Sequence, residues 1–123
     1  MSELPTLKLE LGWACTDLRR RLVEAVLRGE KTATAGLAEL EEERWSAGDR
    51  LTVLGYDEPV AIAEVVEERV IPAGEIDVQF ARDEGEGFES VEDWREAHER
   101  FFERPLPDDT LIMATRFRLV ERL

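Results

Sequence analysis

The sequence predicts an α+β fold, a small and mostly antiparallel β-barrel or curled sheet with two or three flanking helices. Segments with the alternating pattern of strands outnumber segments with helical periodicity. Most of these β segments also follow one another too closely for the long crossovers that parallel strands require. The chain has 123 residues, the usual size of one domain, so we expect a single domain over residues 1–123.

Overall composition excludes several classes of protein. Charged residues make up 37% of the chain and hydrophobic residues 43%, which is too apolar for a disordered chain and too charged for a membrane protein. No apolar run approaches the roughly 20 residues of a membrane span, and the start of the chain lacks the basic-then-apolar pattern of a signal peptide. The lone cysteine, Cys15, cannot form an internal disulfide, so we expect a cytoplasmic protein without membrane partners.

The net charge of −13, from 29 acidic and 16 basic residues, limits the partners that the surface can attract. Such a surface repels polyanions at long range, and tight non-specific binding of duplex DNA needs many cationic contacts. We therefore expect either a small substrate or a short single strand of nucleic acid, held in a local basic pocket. The sequence gives no indication of the oligomeric state.

The first predicted elements are a short strand and a helix. Residues 7–11 alternate apolar and polar side chains with the period of a strand. Thr16 then offers an N-cap, and apolar residues follow at helical spacing up to Leu27, with Gly29 just beyond the helix end. The consecutive arginines 19–21 cannot share one helix face, so we expect this run to be mostly solvated.

The middle of the chain is rich in β-forming residues. Residues 31–37 and 51–54 each have the composition of a strand, and residues 39–44 form a charged connector between them. A hairpin loop then leads into a long strand over residues 60–71. A bend or bulge at residues 67–69, where the pattern breaks, would let this strand curve around a barrel.

The second half of the chain adds two helices and a final strand. Residues 76–84 have the pattern of a short helix, and the glycine-rich acidic stretch 83–87 predicts a flexible loop. Ser90 begins a capping box, and apolar residues at helical spacing predict a second helix up to about Arg104. Residues 111–120 alternate as the closing strand.

Residue counts exclude several kinds of catalytic site. The chain has one histidine and one cysteine on separate segments, so we predict neither a Ser-His-Asp or Cys-His pairing nor a zinc site of the usual His/Cys kind. Nothing matches a phosphate-binding loop or a dinucleotide fingerprint. Asp83, Glu84 and Glu86 could hold a hard cation, but a solvated acidic loop is the simpler interpretation. The sequence therefore predicts no metal and no cofactor.

Lys31 is the residue that stands out for chemistry. The chain has 14 arginines and only two lysines, and one of the two lies directly after the first predicted helix. A lysine amine can lose its proton when it is desolvated, whereas arginine stays charged, and a base or nucleophile needs that property. An ordinary surface lysine at a helix–strand junction is the alternative interpretation.

Four segments together resemble the ASCH domain family. They are residues 29–34 (Gly-Glu-Lys-Thr-Ala-Thr), 81–87 (Ala-Arg-Asp-Glu-Gly-Glu-Gly), 94–102 (Trp-Arg-Glu-Ala-His-Glu-Arg-Phe-Phe) and 116–120 (Arg-Phe-Arg-Leu-Val). The similarity runs in order along nearly the whole chain. It implies a PUA-like β-barrel with a cleft beside the barrel, and relatives that are proposed to bind RNA. One small branch resembles amidohydrolases that remove the acetyl group from acetylcytidine, and another has been described as cleaving single-stranded RNA.

The amidohydrolase branch implies Lys31, Thr34 and Glu84 as the catalytic set. A neutral Lys31 amine could take the proton of the Thr34 hydroxyl, which would attack the amide carbonyl. Glu84 could hold the substrate amine or donate a proton to the leaving group, and Arg116 could supply positive charge for an oxyanion or a phosphate. Because residues 31 and 34 would point to opposite faces of a regular strand, Lys31 must lie in the preceding turn, or the strand must be bulged, for the two to meet.

Three more residues are predicted to contact the ligand. Thr32 lies within the lysine motif. Trp13 precedes the first helix and could stack on a base or pack against the helix as a hydrophobic staple. His98 could line the cleft or be a buried, hydrogen-bonded histidine.

Together these features predict an ASCH-like protein that recognises RNA or a modified nucleoside in a cleft around Lys31 and could hydrolyse an amide such as that of acetylcytidine. Two alternatives stay open. One is a non-catalytic RNA-binding module that uses Arg116, and the other is a single-strand ribonuclease with Lys31 and Glu84 as its base and acid. The sequence alone does not decide whether the protein is an enzyme.

Overall fold

One sheet and three helices make up the structure, a computed structural model that describes residues 3–12, 16–41, 43–56 and 58–123. The five strands are β1 (Lys8–Leu9), β2 (Ala33–Leu37), β3 (Arg50–Leu54), β4 (Pro59–Pro72) and β5 (Leu111–Arg122). The helices are α1 (Asp17–Leu27), α2 (Val78–Asp83) and α3 (Val91–Phe102), and single 3-10 turns cover Ala38–Leu40 and Ala73–Glu75. No helix of the described residues is both long and apolar enough to cross a bilayer.

The strands of the sheet lie in the order β1-β3-β4-β5-β2. β1 runs parallel to β3, and the other three pairs are antiparallel. The β4–β5 ribbon is the longest pairing, from Ala61 opposite Arg122 to Pro72 opposite Leu111. This arrangement confirms the predicted α+β class and the mostly antiparallel sheet with flanking helices. Within the described part of the chain β1 and β2 are the edges, so the sheet is open.

Two register shifts bend the long strand β4. They lie between Ile62 and Ala63 and between Val65 and Glu67, both in the pairing with β5. The sequence predicted a bend at residues 67–69, so the second shift begins slightly earlier than expected. A bulge adds one residue to one strand of a pair and increases the local twist. The bent β4 pairs with β3 along its first half and with β5 along nearly its whole length.

Helix α1 begins and ends where its capping residues predict. The Thr16 side chain accepts a hydrogen bond from the Arg19 backbone N–H, and Arg28 is the C-cap. Gly29 follows with a φ of 79°, the left-handed conformation that closes many helices. The apolar face of the helix is buried through four side chains, Leu22, Val23, Ala25 and Val26.

Arg19 departs from the prediction of a solvated arginine run. The residue is 2% exposed, and its guanidinium donates to the carbonyl oxygens of Leu11, Gly12 and Gly55 at 2.6, 3.3 and 3.0 Å. A buried cation is tolerated when its donors find acceptors. Arg19 thus ties the N-terminal segment and the β3–β4 loop to α1, while the next two arginines of the run stay exposed as predicted.

Two groups of buried apolar side chains form the core. The first lies between α1 and strands β1, β3 and β4, with Phe117 of β5. The second joins β2 and β5 to helices α2 and α3, and it contains the fully buried Trp94. The segment from α1 to β2 passes from the first group to the second, and it carries Lys31.

Helices α2 and α3 are slightly shorter than the sequence predicted. α2 covers Val78–Asp83, where residues 76–84 were expected. α3 begins after the predicted N-cap Ser90, whose side chain accepts a hydrogen bond from a backbone N–H of the first turn. It ends at Phe102 because the following residue, Glu103, adopts the left-handed conformation with a φ of 58°.

The acidic loop after α2 is anchored, although its composition predicted flexibility. Glu84 is the C-cap of α2 and is buried, and Gly85 has a φ of 70°. A Cβ on Gly85 would lie 2.7 Å from the Glu30 carbonyl oxygen and 2.8 Å from the Lys31 Cα. Glycine is thus required here both by the backbone conformation and by the close approach of the loop to the α1–β2 junction.

We expect Gly85→Ala to lower the free energy of unfolding by about 2–4 kcal/mol, because it adds backbone strain and a collision with the α1–β2 junction. Gly87→Ala is the matched control, since Gly87 also has a positive φ of 85° but nothing lies within 4 Å of an added Cβ. It should lose only about 1 kcal/mol. Urea unfolding followed by tryptophan fluorescence measures both variants, and equal losses would contradict the close approach.

Candidate active site

Lys31 lies in the turn between α1 and β2. Its backbone N–H donates to the Ala25 carbonyl at 3.1 Å, and the Thr32 N–H donates to the Asp83 carbonyl at 2.8 Å. β2 therefore begins two residues later than the sequence predicted. Of the two predicted geometries, a lysine in the turn or a bulged strand, the structure has the first.

The Lys31 amine is buried against two carboxylates. The side chain is 1% exposed, and Nζ donates to the backbone carbonyl of Glu84 at 3.1 Å. Nζ also lies 3.6 Å from Glu84 Oε1 and 3.6 Å from Glu86 Oε2. At these distances the ammonium and the two carboxylates form a buried ion-pair network. The interpretation of Lys31 as an ordinary surface lysine therefore does not apply.

Glu84 lies at the centre of this network. Its Oε2 accepts a hydrogen bond from the indole N–H of Trp94 and lies 3.3 Å from Nε2 of His98, while Oε1 faces Lys31. Burial favours the neutral carboxyl and by itself would raise the pKa of Glu84. The charges of His98 and Lys31, together with hydrogen bonds from His98 and Trp94, outweigh burial. The pKa of Glu84 is therefore below its ordinary value. An ionised Glu84 favours the first of its predicted roles, holding the substrate amine, over proton donation.

His98 joins the same network from α3. Its Nδ1–H donates to the Trp94 carbonyl at 2.8 Å, and its ring stacks on Trp94 with the centroids 4.3 Å apart. Burial lowers the pKa of His98, but the charge of Glu84 and the hydrogen bond to it outweigh burial, so the pKa is raised overall. Because Nδ1 already donates, only a protonated Nε2 can donate to Glu84, and the imidazolium is the form that fits.

Glu86 is the partly exposed member of the network, with 25% of its side chain exposed. Burial raises its pKa and repulsion from Glu84 adds to the rise, while the charge of Lys31 opposes it, and the result is a raised pKa. Glu86 therefore exchanges a proton at a pH closer to neutrality than an ordinary glutamate. Within the described residues no group of three His, Cys, Asp or Glu side chains is placed to hold a metal ion.

A cavity of about 390 Å³ opens beside the network. Lys31, Thr34, Glu84 and His98 all line it, so the three predicted catalytic residues and one predicted ligand contact converge on one site. Its volume falls within the range of small-molecule sites. A second cavity of about 500 Å³ adjoins it and shares Thr34 and Phe101 with it, among other residues.

Comparison with known proteins identifies the family. The family model of the ASCH domain matches residues 12–121. The chain belongs to the ASCH domain family. No curated protein matches the sequence significantly.

Two solved structures are similar to this ASCH domain. The crystal structure of an Enterococcus faecalis protein described by the family model DUF984 superposes with a TM-score of 0.84 at 25% identity, over 99% of this chain and 80% of that one. An ASCH domain from Lactobacillus crispatus superposes with a TM-score of 0.71 at 27% identity, over 89% of this chain and 77% of that one. These similarities confirm the PUA-like architecture that the sequence resemblance implied.

Two of the predicted ligand contacts lie outside the lining of the ASCH domain cavity. The Arg116 guanidinium pairs with Asp83 Oδ2 at 2.6 Å and lies 5.2 Å from the centre of the Phe80 ring. Thr32 uses its backbone to join two segments, since its N–H donates to Asp83 and its carbonyl accepts from the Phe117 N–H at 3.0 Å. In this structure both residues fasten the α2 loop and β5 to the Lys31 turn.

The last predicted contact, Trp13, lies outside the described residues, although Gly12 before it lines the cavity. The structure also adds three lining residues that were not predicted as site residues from the sequence, namely Glu86, Arg21 and Arg100. The sequence indicated Glu86 only as a possible ligand of a hard cation in an acidic loop, and Arg21 only as part of an arginine run. The spacing of Glu84 and Glu86 about one glycine is the signal that could have singled out Glu86.

The single histidine makes the charge network measurable. His98 is the only histidine of the chain, so one imidazole titration by NMR reports its pKa directly. We expect a value above the ordinary value of about 6.5.

Because the pKa of His98 is raised on folding, the stability that His98 contributes is full below pH ~6.5 and is lost as pH rises through the folded pKa. The contribution of Glu84 has the opposite sign, full above pH ~4.3 and lost as pH falls through its lowered pKa.

Glu84→Gln should move the His98 pKa downward, because burial then acts without the central carboxylate. Glu92→Gln, an exposed carboxylate on the same helix, is the control and should leave it unchanged. A His98 pKa that is the same in the wild type and in Glu84→Gln would contradict the network.

Proposed function

We propose that this ASCH domain binds a modified nucleoside and hydrolyses an amide bond on it, with acetylcytidine as the representative substrate. The observation that carries the proposal is the convergence of Lys31, Thr34 and Glu84 on one cavity, although Glu84 lies 53 residues from Lys31 in the chain. Membership of the ASCH family supports a nucleoside or RNA ligand. Perturbed titratable groups that line a cavity are typical of catalytic sites.

Thr34 is the nucleophile in this proposal. It lies on β2 and lines both cavities, and its hydroxyl has no hydrogen-bond partner among the described residues. The hydroxyl oxygen attacks the amide carbonyl, and the bond from the carbonyl carbon to the amine nitrogen breaks. The acetyl group stays on the Thr34 oxygen until a water molecule releases it as acetate.

Lys31 and Glu86 move the proton in this proposal. The Lys31 ammonium must first give up a proton, and Glu86, 3.6 Å away, is the acceptor. Burial raises the pKa of Glu86, so this carboxylate accepts a proton more readily than an ordinary glutamate. The neutral Lys31 amine then takes the Thr34 proton and passes it to the leaving amine. Glu84, held by His98 and Trp94, positions Lys31 for this transfer.

Non-catalytic recognition of single-stranded RNA is the second candidate function. Two exposed arginines that line the cavity, Arg21 and Arg100, favour it because phosphate contacts need free cations. The net charge of −13 counts against a long strand, since such a surface repels a polyanion. Binding of this kind would weaken steeply with salt.

We expect purified protein to convert acetylcytidine to cytidine and acetate, and Thr34→Val to reduce the turnover number by about 10²-fold or more, because the isosteric side chain lacks the attacking oxygen. Turnover is measured by chromatography of the products. Substrate binding by the variant should change little, since valine keeps the shape of the site.

Thr32→Val is the matched control for this variant. It is the same substitution two residues away, at a residue that lies outside the cavity lining and uses its backbone for its contacts. Its turnover should be close to that of the wild type. Full activity in Thr34→Val would exclude Thr34 as the nucleophile, and absence of turnover in the wild type with salt-sensitive RNA binding would favour the second candidate.

A further inference from the structure

We propose that Arg21 and Arg100 form an anion site at the mouth of the cavity, and that the preferred ligand is a nucleotide with one phosphate, not a free nucleoside. The nucleoside part of this ligand rests on the proposed function. The phosphate part rests on the charges of the two arginines.

The two arginines reach the cavity from different helices. Arg21 lies on α1 and Arg100 on α3, and both line the cavity that contains Lys31 and Thr34. Both residues are exposed, whereas Lys31 and Glu84 of the same lining are buried, and we therefore place the two arginines at the rim. A ligand seated against Thr34 would therefore have a cation available on each of two walls.

Within the described ranges these two arginines differ from most others, because their guanidinium groups have no partner. Of the 14 arginines, eight lie within 4.0 Å of a carboxylate, and three more donate to backbone carbonyl oxygens. Among the described residues, the remaining three have neither a hydrogen bond nor an ion pair of the guanidinium, and they are Arg21, Arg82 and Arg100. Carboxylates outnumber cations by 29 to 16 in this chain. Two unpaired arginines at one cavity therefore leave a local positive charge that an anion can use.

Arg116, the cation that the sequence analysis selected for a phosphate, is already paired with Asp83 at 2.6 Å and lies outside the lining. Using it would require breaking that ion pair. Arg21 and Arg100 need no such rearrangement. The geometry thus favours Arg21 and Arg100, on the two helices, over Arg116, on the last strand, as the phosphate contacts.

The charges that line the second cavity favour a ligand with a single phosphate over a nucleic-acid strand. Glu10, Glu41 and Glu43 line it, and Lys8 is its one lysine. A polynucleotide that continued from the first cavity into the second would bring its next phosphate against these carboxylates, and like charges repel. One phosphate held at the arginine rim avoids this repulsion. A mononucleotide therefore fits the two cavities better than an RNA strand.

The test compares cytidine, cytidine 5′-monophosphate and a short oligocytidylate by isothermal titration calorimetry at low salt. None of the three needs to be hydrolysed, so the result is independent of catalysis. We expect the monophosphate to bind about tenfold more tightly than cytidine, and this advantage to shrink as salt rises. Arg21→Gln and Arg100→Gln should each reduce the advantage by about threefold. Arg82→Gln is the matched control, since Arg82 is also unpaired and exposed but lies outside the cavity lining, and it should leave the advantage unchanged.

Equal affinity for cytidine and its monophosphate would overturn the anion site, and hydrolysis of acetylcytidine could still stand. Tighter binding of the monophosphate without any amide hydrolysis would support the anion site and count against the proposed function. Tighter binding of the oligocytidylate than of the monophosphate, lost in the two arginine variants, would overturn the preference for a single phosphate.

Discussion

The buried carboxylate of Glu84 is the interaction on which the rest of the site depends. It lies among Lys31, His98 and Trp94, so it joins the α1–β2 turn and α3 to the end of α2. With Glu86 nearby, two cations face two carboxylates. Such a network contributes little net stability, because desolvation of the charges offsets their attraction. The network instead determines a position, because it holds the buried Lys31 amine in the lining of the cavity.

The fold places this carboxylate by backbone contacts. Gly85 lets the loop after α2 pass within van der Waals distance of the Lys31 turn. Hydrogen bonds through Thr32 then fasten the turn to Asp83 on one side and to Phe117 of β5 on the other. The site therefore lies at the boundary between the two core groups, where helices and sheet meet. Trp94 and His98 stack on one another beside Glu84, and a low local dielectric strengthens the electrostatic interactions of such a network.

Local patterns in the sequence predicted much of this fold. The caps of α1, the Ser90 cap of α3 and the alternating strands all depend on neighbouring residues, and these predictions agree with the structure. The charge partners could not be predicted in this way, because an ion pair joins segments that are distant in the chain. Arg19 was expected in solvent, but backbone carbonyl oxygens from distant segments bind its guanidinium. Arg116 was expected in the cleft, but it forms an ion pair with Asp83. Only the tertiary structure shows these partners. Lys31, Thr34 and Glu84 came from the family resemblance, whereas Glu86, Arg21 and Arg100 needed the cavity.

A double-mutant cycle on Lys31 and Glu84 tests whether the buried carboxylate interacts with the lysine amine. The free energy of unfolding at neutral pH is measured for the wild type, Lys31→Met, Glu84→Gln and the double variant. We predict that each single substitution loses about 3–5 kcal/mol, because it removes the partner that faces a buried charge from one side. The double variant should then lose less than the sum of the two, by at least about 1.5 kcal/mol. Losses that simply add would show that the two residues do not interact, and would contradict the role of Glu84 as the centre of the network.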